Sequence, residues 1–122
     1  MPDSQTSLMR ERFRGFLPVV VDIETGGFNC QTDAVLEMAV TLLAMNSRGE
    51  MIVEATHSRN VEPFEGANLD PAALEFTGID PENPLRGAVP EAIALGELFS
   101  IVRLAVKAVS YTHLTLPTIC SV

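Results

Sequence analysis

The sequence is poor in cysteine, in basic residues and in long apolar runs. Cys30 and Cys120 are its only 2 cysteines. That is too few for a disulfide framework, and they lack C-x-x-C spacing, so a reducing cytoplasm is the expected compartment. Lys and Arg number 8 against 16 Asp and Glu, a net charge of -8 over 122 residues. Such a balance argues against a generally basic protein that coats a nucleic-acid backbone. It does not exclude a nuclease, because carboxylates gathered for a divalent metal ion also make a chain acidic. No stretch approaches the about 18 consecutive apolar residues that a membrane span needs. Residues 1–14 lack an apolar h-region and carry Asp3 and Glu11, so no secretory leader is expected. Internal repeats and low-complexity linkers are absent as well, which leaves one domain of ordinary size.

Charge is distributed unevenly. Arg10, Arg12 and Arg14 make residues 1–14 the only relatively basic segment. The span 15–108 is strongly acidic, and residues 109–122 contain no Asp, Glu, Lys or Arg. Three units follow: a basic arm or short helix over 1–15, a main body over 16–108, and an atypical tail over 109–122.

The local patterns predict strand, strand, strand, helix, helix. Ser4 to Arg14 could form a short helix ended by Gly15. The β-branched run from Leu17 to Glu24, bounded by Gly15 and by Thr25-Gly26-Gly27, reads as a buried strand. Leu36, Met38, Val40 and Leu42 alternate with Glu37, Ala39 and Thr41 as in a second strand. A helix over 33–45 competes, since Leu36, Val40 and Leu43 also fit a helical stripe. Asn46-Ser47-Arg48-Gly49 is a turn, so Met51 to Val61 should return as a third strand. Pro63 to Asn68 is loop. Asp70 as N-cap, Pro71 as first residue and Gly78 as terminator frame a short helix. A Pro-rich loop over 80–87 leads to a long helix from Pro90 to about Ala108. Its expected inner face carries Ile93, Leu98, Val102 and Ala105, broadened by Leu95, Phe99 and Val106.

Asp22 and Glu24 are the residues that suggest chemistry. Two apart on a strand, they project from the same face with Cα atoms about 6.6 Å apart. At an effective dielectric of about 20, like charges 4 Å apart repel by about 4 kcal/mol. A hard divalent cation such as Mg²⁺ would relieve that repulsion. Gly26 and Gly27 next to them would let the backbone turn and leave room for a substrate strand. The competing reading is a solvated strand end whose acids pair with a Lys or Arg. A D-x-E pair alone is a weak pattern.

The wider context is more specific. Val20-Val21-Asp22-Ile23-Glu24-Thr25-Gly26-Gly27-Phe28 resembles the first exonuclease motif of the DEDD 3′→5′ exonucleases. Within that superfamily it is most similar to the ribonuclease T family. Arg12-Phe13-Arg14-Gly15-Phe16, Thr32-Asp33-Ala34-Val35-Leu36-Glu37, Val61-Glu62-Pro63-Phe64, Gly66-Ala67-Asn68-Leu69 and Phe76-Thr77-Gly78-Ile79-Asp80-Pro81 resemble the same family. The resemblance runs from about Arg12 to Ala108.

That resemblance implies an α/β, ribonuclease H-like mixed sheet in which three antiparallel strands come first, flanked by helices and here C-terminally truncated. It implies a hydrolase that trims the 3′ ends of tRNA and other stable RNAs, using two Mg²⁺ ions about 4 Å apart between four carboxylates. Asp22 and Glu24 would be the first two metal ligands, and Glu24 would also contact the terminal nucleotide. Phe28 and Phe76 would stack on the last bases, although a Phe inside a short helix is more often core. Arg12 and Arg14 do not share a helix face but align in extended chain, as suits a segment tracking phosphates. The resemblance gives this arm to the partner's site in a homodimer; the alternative is a solvated basic turn.

Other acids have blander readings. Glu37 is a solvent-facing or paired strand residue and not a metal ligand, and Asp33 and Asp70 are turn and cap residues. Ala72 stands where the family often has a Glu, which puts any base preference tied to it in doubt. The family's later Asp ligands and general-base His have no counterpart. His57 and His113 match no family position, and no carboxylate follows Glu97. On this reading the complete protein is an enzyme, while the 122-residue chain alone is an inactive fragment with partly uncovered apolar faces. A non-catalytic RNA-binding or dimerisation module is the alternative, and a DNA proofreading-type exonuclease shares the Asp22-Ile23-Glu24-Thr25 stretch. The tail reads as unrelated translation or, alternatively, as one further strand over Tyr111 to Leu116.

Overall fold

A computed structural model describes Met9, residues 11–108 and residues 113–115. Strand β1 spans Phe16–Thr25, β2 Val35–Met45 and β3 Met51–Asn60. Helix α1 covers Pro71–Thr77, a single 3-10 turn Pro84–Arg86, and helix α2 Glu91–Ala108. A short strand β4, His113–Thr115, completes the elements. The sheet order is β3-β2-β1-β4. Neighbours among the first three strands are antiparallel, whereas β4 runs parallel to β1 beside Phe16–Pro18. The three consecutive antiparallel strands and two helices are those the sequence predicts. The rest of the tail lies outside the described residues.

Alternation decides β2 in favour of a strand. Leu36, Met38, Val40, Leu42 and Met45 are buried, while the residues between them are only partly covered. Through the register these side chains share a face with Leu17, Val19, Val21 and Ile23 of β1. Helix α2 lies over β2 and β3. Leu98 and Val102 join Leu17, Val19, Met38 and Val40 in the core, with Met9 and Phe13 closing it from the N-terminal side. Full burial of each such side chain contributes about 1.5–3 kcal/mol.

The inner stripe of α2 differs from the one expected. Ala94, Leu98 and Val102 are buried at i, i+4 spacing, and Ile93 is half exposed. Small Ala94 lets the first turn approach the sheet, and that rotation turns Ile93 outward. Val20 and Ile23, on opposite faces of β1, and Ile93 and Leu104 on α2 are exposed apolar side chains, in line with the partly uncovered apolar faces that the sequence implies.

Local chemistry fixes the ends of elements. The Asp70 carboxylate accepts from the Ala72 N–H at 3.0 Å, and left-handed Gly78 (φ 73°) donates its N–H to the Leu74 carbonyl. The β2–β3 turn closes on the Asn46 side chain, whose oxygen accepts from the Arg48 and Glu50 N–H groups. Arg86 anchors the proline-rich connection: its Nη2 donates to the carbonyls of Leu36 (2.7 Å) and Val61 (3.4 Å). The Asn60 side chain in turn donates to the Arg86 carbonyl at 2.7 Å.

Candidate functional site

Strand β1 presents Val20, Asp22 and Glu24 on the face opposite α2. The register brings Thr41, Ala39 and Glu37 of β2 onto that same face, paired with Val20, Asp22 and Glu24 respectively. Thr56 and Ser58 of β3 continue it, and the Thr41 and Thr56 hydroxyls meet at 3.1 Å. Asp22 is exposed and Glu24 half-buried. Glu37 is directly opposite Glu24, which places their Cβ atoms about 5 Å apart. A shift in the ladder follows at once, between Glu24 and Thr25. Such irregularities turn a strand and re-aim its side chains.

Among the described residues the single ion pair joins Arg59 to Glu97, with Nε 2.6 Å from Oε2, and ties β3 to α2. Among the described residues no cationic side chain forms an ion pair with Asp22, Glu24 or Glu37. Carboxylates offer only oxygen ligands, the type a hard divalent cation prefers. No group of three or more His, Cys, Asp or Glu side chains converges to hold a metal ion among the described residues. Asp22 and Glu24 thus fit as part of a coordination shell, not as a complete one.

Beyond the ladder shift the chain passes Gly26 and Gly27 to Phe28. Both glycines are buried. A Cβ at Gly26 would meet the Leu69 side chain at 2.8 Å. At Gly27 it would fall on the Asp33 carboxylate. The space these glycines leave is filled by the chain's own Leu69 and Asp33, so the expectation that it serves a substrate strand is corrected.

Asp33 organises this end of the sheet. Its oxygens accept from the Asn29 N–H (2.8 Å), the Thr32 hydroxyl (2.9 Å) and the Asn68 side-chain N–H (3.0 Å). The Asn29 N–H above all, then Asn68, hold its carboxyl below the usual carboxylate value, against a smaller opposing effect of desolvation. Backbone bonds run in parallel, from the Asn68 N–H to the Thr32 carbonyl (2.9 Å) and from the Asp70 N–H to the Gly26 carbonyl (2.7 Å). The start of α1 is thereby fastened to the end of β1.

Two phenylalanines flank that junction, and both are outside the core. Phe28 is 81% exposed and Phe76, on α1, 90% exposed. The core reading of Phe76 fails because the buried residue of α1 is Ala73. Free aromatic faces on fastened segments are chemically suited to stacking on planar rings.

The arginine arm is elsewhere. Arg12 ends a helical turn with its guanidinium 5.9 Å from the Phe13 ring centroid. Arg14 has φ 55° and Gly15 φ 84°, so the pair is not the extended segment the sequence suggests. A left-handed two-residue turn carries the chain from helix into β1. From Gly15 to Asp22 is about 23 Å at ~3.3 Å per strand residue. Arg12 lies beside Met45 and Gly49 at the β2–β3 turn, the far end from the carboxylates. Within one chain the structure does not bring Arg12 or Arg14 to Asp22 and Glu24. His57, opposite Val40, is half-buried on the α2 side of the sheet and is separated from the carboxylates by the sheet itself.

Sequence reasoning missed the apposition of Glu24 and Glu37 and the bracing of Phe28 to α1 through Asp33. The T-D at positions 32–33 and the N at 68 were the available signal, but their pairing depends on tertiary contact.

No protein-family model matches the chain. Ribonuclease T of Shewanella frigidimarina (strain NCIMB 400) is 61% identical over 99 residues, which are 81% of this chain and 45% of that protein. Ribonuclease T of Hahella chejuensis (strain KCTC 2396) is 57% identical over 111 residues, 88% of this chain and 51% of its own. Among solved structures, E. coli exonuclease I in complex with a dT13 oligonucleotide superposes with a TM-score of 0.55 at 21% identity, over 69% of this chain and 18% of that one. A product-bound exonuclease I gives 0.54 at 23% identity, over 69% and 19%. The superposition supports a ribonuclease H-like mixed sheet as the fold to which these strands and helices contribute. The chain spans about half the length of the curated relatives it matches, and in sequence it corresponds to the N-terminal portion of ribonuclease T.

Proposed function

We propose that the protein to which this chain belongs is a 3′→5′ exoribonuclease, trimming the 3′ ends of tRNA and other stable RNAs in the cytoplasm. The observation that carries the reading is the pair Asp22 and Glu24, on an open sheet face without a counter-charge among the described residues, within a stretch matching ribonuclease T.

Asp22 and Glu24 would hold Mg²⁺ through carboxylate oxygens, two ions being expected once the further ligands are supplied. A metal held there would supply Lewis-acid chemistry, activating water and offsetting charge on the leaving 3′ oxygen. The chain's own contribution is placement. The β1–β2 ladder sets the spacing of the two acids, and Phe28 and Phe76 offer stacking surfaces that accept any base. Arg12 and Arg14, before the start of β1 at the end away from Asp22 and Glu24, would act on phosphates at a partner subunit's site in a homodimer.

The test is nucleotide release from the 3′ end of a labelled single-stranded RNA by the protein from the gene's whole reading frame. Release should need Mg²⁺ and fall on the order of 100-fold or more in Asp22→Asn, the scale of removing one charge stabiliser from a transition state. Undiminished release would remove Asp22 from the metal site. The 122-residue chain, with two carboxylates of the expected four, should bind RNA without releasing nucleotides.

A further inference from the structure

The two exposed phenylalanines are connected by a short, continuous path of contacts. Phe28 is followed by Asn29, whose N–H is held by Asp33 at 2.8 Å. Asp33 is bonded across to the Asn68 side chain at 3.0 Å, and residues 33 and 68 also form a parallel bridge. Two residues after Asn68, Asp70 caps α1, and that helix carries Phe76. Gly27 is sterically matched to this arrangement, since any Cβ there would displace the Asp33 carboxylate. Residues 28 and 76 are far apart in sequence and sit on a loop and on a two-turn helix, both of which would drift if left unbraced. A stacking site benefits when its surfaces are set before the ligand arrives, because less ordering is then charged to binding.

We propose that Asp33 and Asn68 are positioning residues that hold Phe28 and Phe76 in a fixed relation, so that both rings can stack on one single-stranded RNA end. This rests on the stacking reading given above. Asp33 and Asn68 touch neither base nor phosphate in this scheme; they act through the segments they join. Asp33 is thereby more than a turn residue, and the pair it forms with Asn68 belongs to substrate recognition.

The experiment uses the 122-residue chain and a single-stranded oligoribonucleotide with 2-aminopurine at its 3′ end. Affinity and fluorescence quenching are read together, because quenching reports stacking directly. Asn68→Ala deletes the side-chain bond of this cross-link while leaving the Asn29 and Thr32 bonds to Asp33 and the Asn68 N–H to Thr32 backbone bond. It should weaken binding by about tenfold, a part of one stacking contact, and lose much of the quenching, with the far-UV circular dichroism unchanged. Combining Asp33→Asn with Asn68→Asp re-creates a carboxylate–amide pair and should restore both readouts. If Asn68→Ala binds and quenches as the native chain does while Phe28→Ala and Phe76→Ala weaken binding, the positioning inference is overturned and the stacking reading stands. If neither Phe substitution changes binding, the stacking reading itself fails, and this inference with it.

Discussion

Glu24 and Glu37 are direct partners in the β1–β2 ladder, with their side chains on one face of the sheet. Antiparallel strands seldom gain from such a pair, because like charges directly opposite one another destabilise the ladder. No cationic side chain offsets it among the described residues, and Asp22 adds a third negative charge two positions along the same face. On the proposed reading, a cation held by Asp22 and Glu24 would supply the missing positive charge.

Glu37→Gln should therefore stabilise the metal-free chain, by about 0.2–1 kcal/mol on the usual scale of cross-strand pairs. Thermal melting in the presence of a chelator measures the gain. With millimolar Mg²⁺ the difference should shrink, since on the proposed reading the cation would relieve the repulsion in the native chain.

Asp33 gives a dependence on pH. Its carboxyl is held below the ordinary value by the Asn29 N–H, then by Asn68 and Thr32. A carboxyl depressed in the folded state contributes stability that is fully present above its unfolded pKa and is lost as pH falls through the folded one. Asp33→Asn should thus melt earlier than the native chain at neutral pH, and the gap should close as pH drops below the ordinary carboxylate range. A gap independent of pH would contradict the assignment.

Gly27→Ala should be more damaging than Gly26→Ala. The added methyl at Gly27 falls on the Asp33 carboxylate, whereas at Gly26 it meets the end of the Leu69 side chain, which can rotate aside. Melting curves of the two variants order them, and equal melting temperatures would contradict the close packing at Gly27.

Arg86→Ala should cost about 1–3 kcal/mol, the range for removing a charged donor from part-buried acceptors. The Leu36 and Val61 carbonyls both lose that donor. Denaturant unfolding at neutral pH is the measurement, and an unchanged midpoint would show that the anchor is dispensable.

Much of this was readable from sequence where the determinants are local. Asp70-Pro71 and Gly78 bracket α1 because capping and a left-handed terminator act within a few residues. Asn46 and Gly49 define the β2–β3 turn for the same reason. The long-range features were not readable. That Glu37 meets Glu24 depends on the register of two strands joined by a nine-residue connection with a ladder shift at its mouth. Ile93 was expected inside because periodicity gives the existence of an apolar stripe more reliably than its angular position, which the small Ala94 settles by packing. Gly26 and Gly27 advertise space without saying what fills it, and the occupants, Leu69 and Asp33, come from different segments. Phe76 shows the converse case, since apolarity in a helix suggested core, whereas α1 buries Ala73 and leaves Phe76 exposed.

The central claim is that Asp22 and Glu24 bind a divalent cation, and Mn²⁺ titration of the isotopically labelled chain by NMR tests it most directly. Mn²⁺ stands in for Mg²⁺ and broadens signals within reach of its unpaired electrons. The account predicts early, selective broadening around Asp22, Glu24 and Glu37, suppressed by Asp22→Asn and competed by Mg²⁺. Broadening that is uniform over the acidic surface, or that persists unchanged in Asp22→Asn, would contradict it.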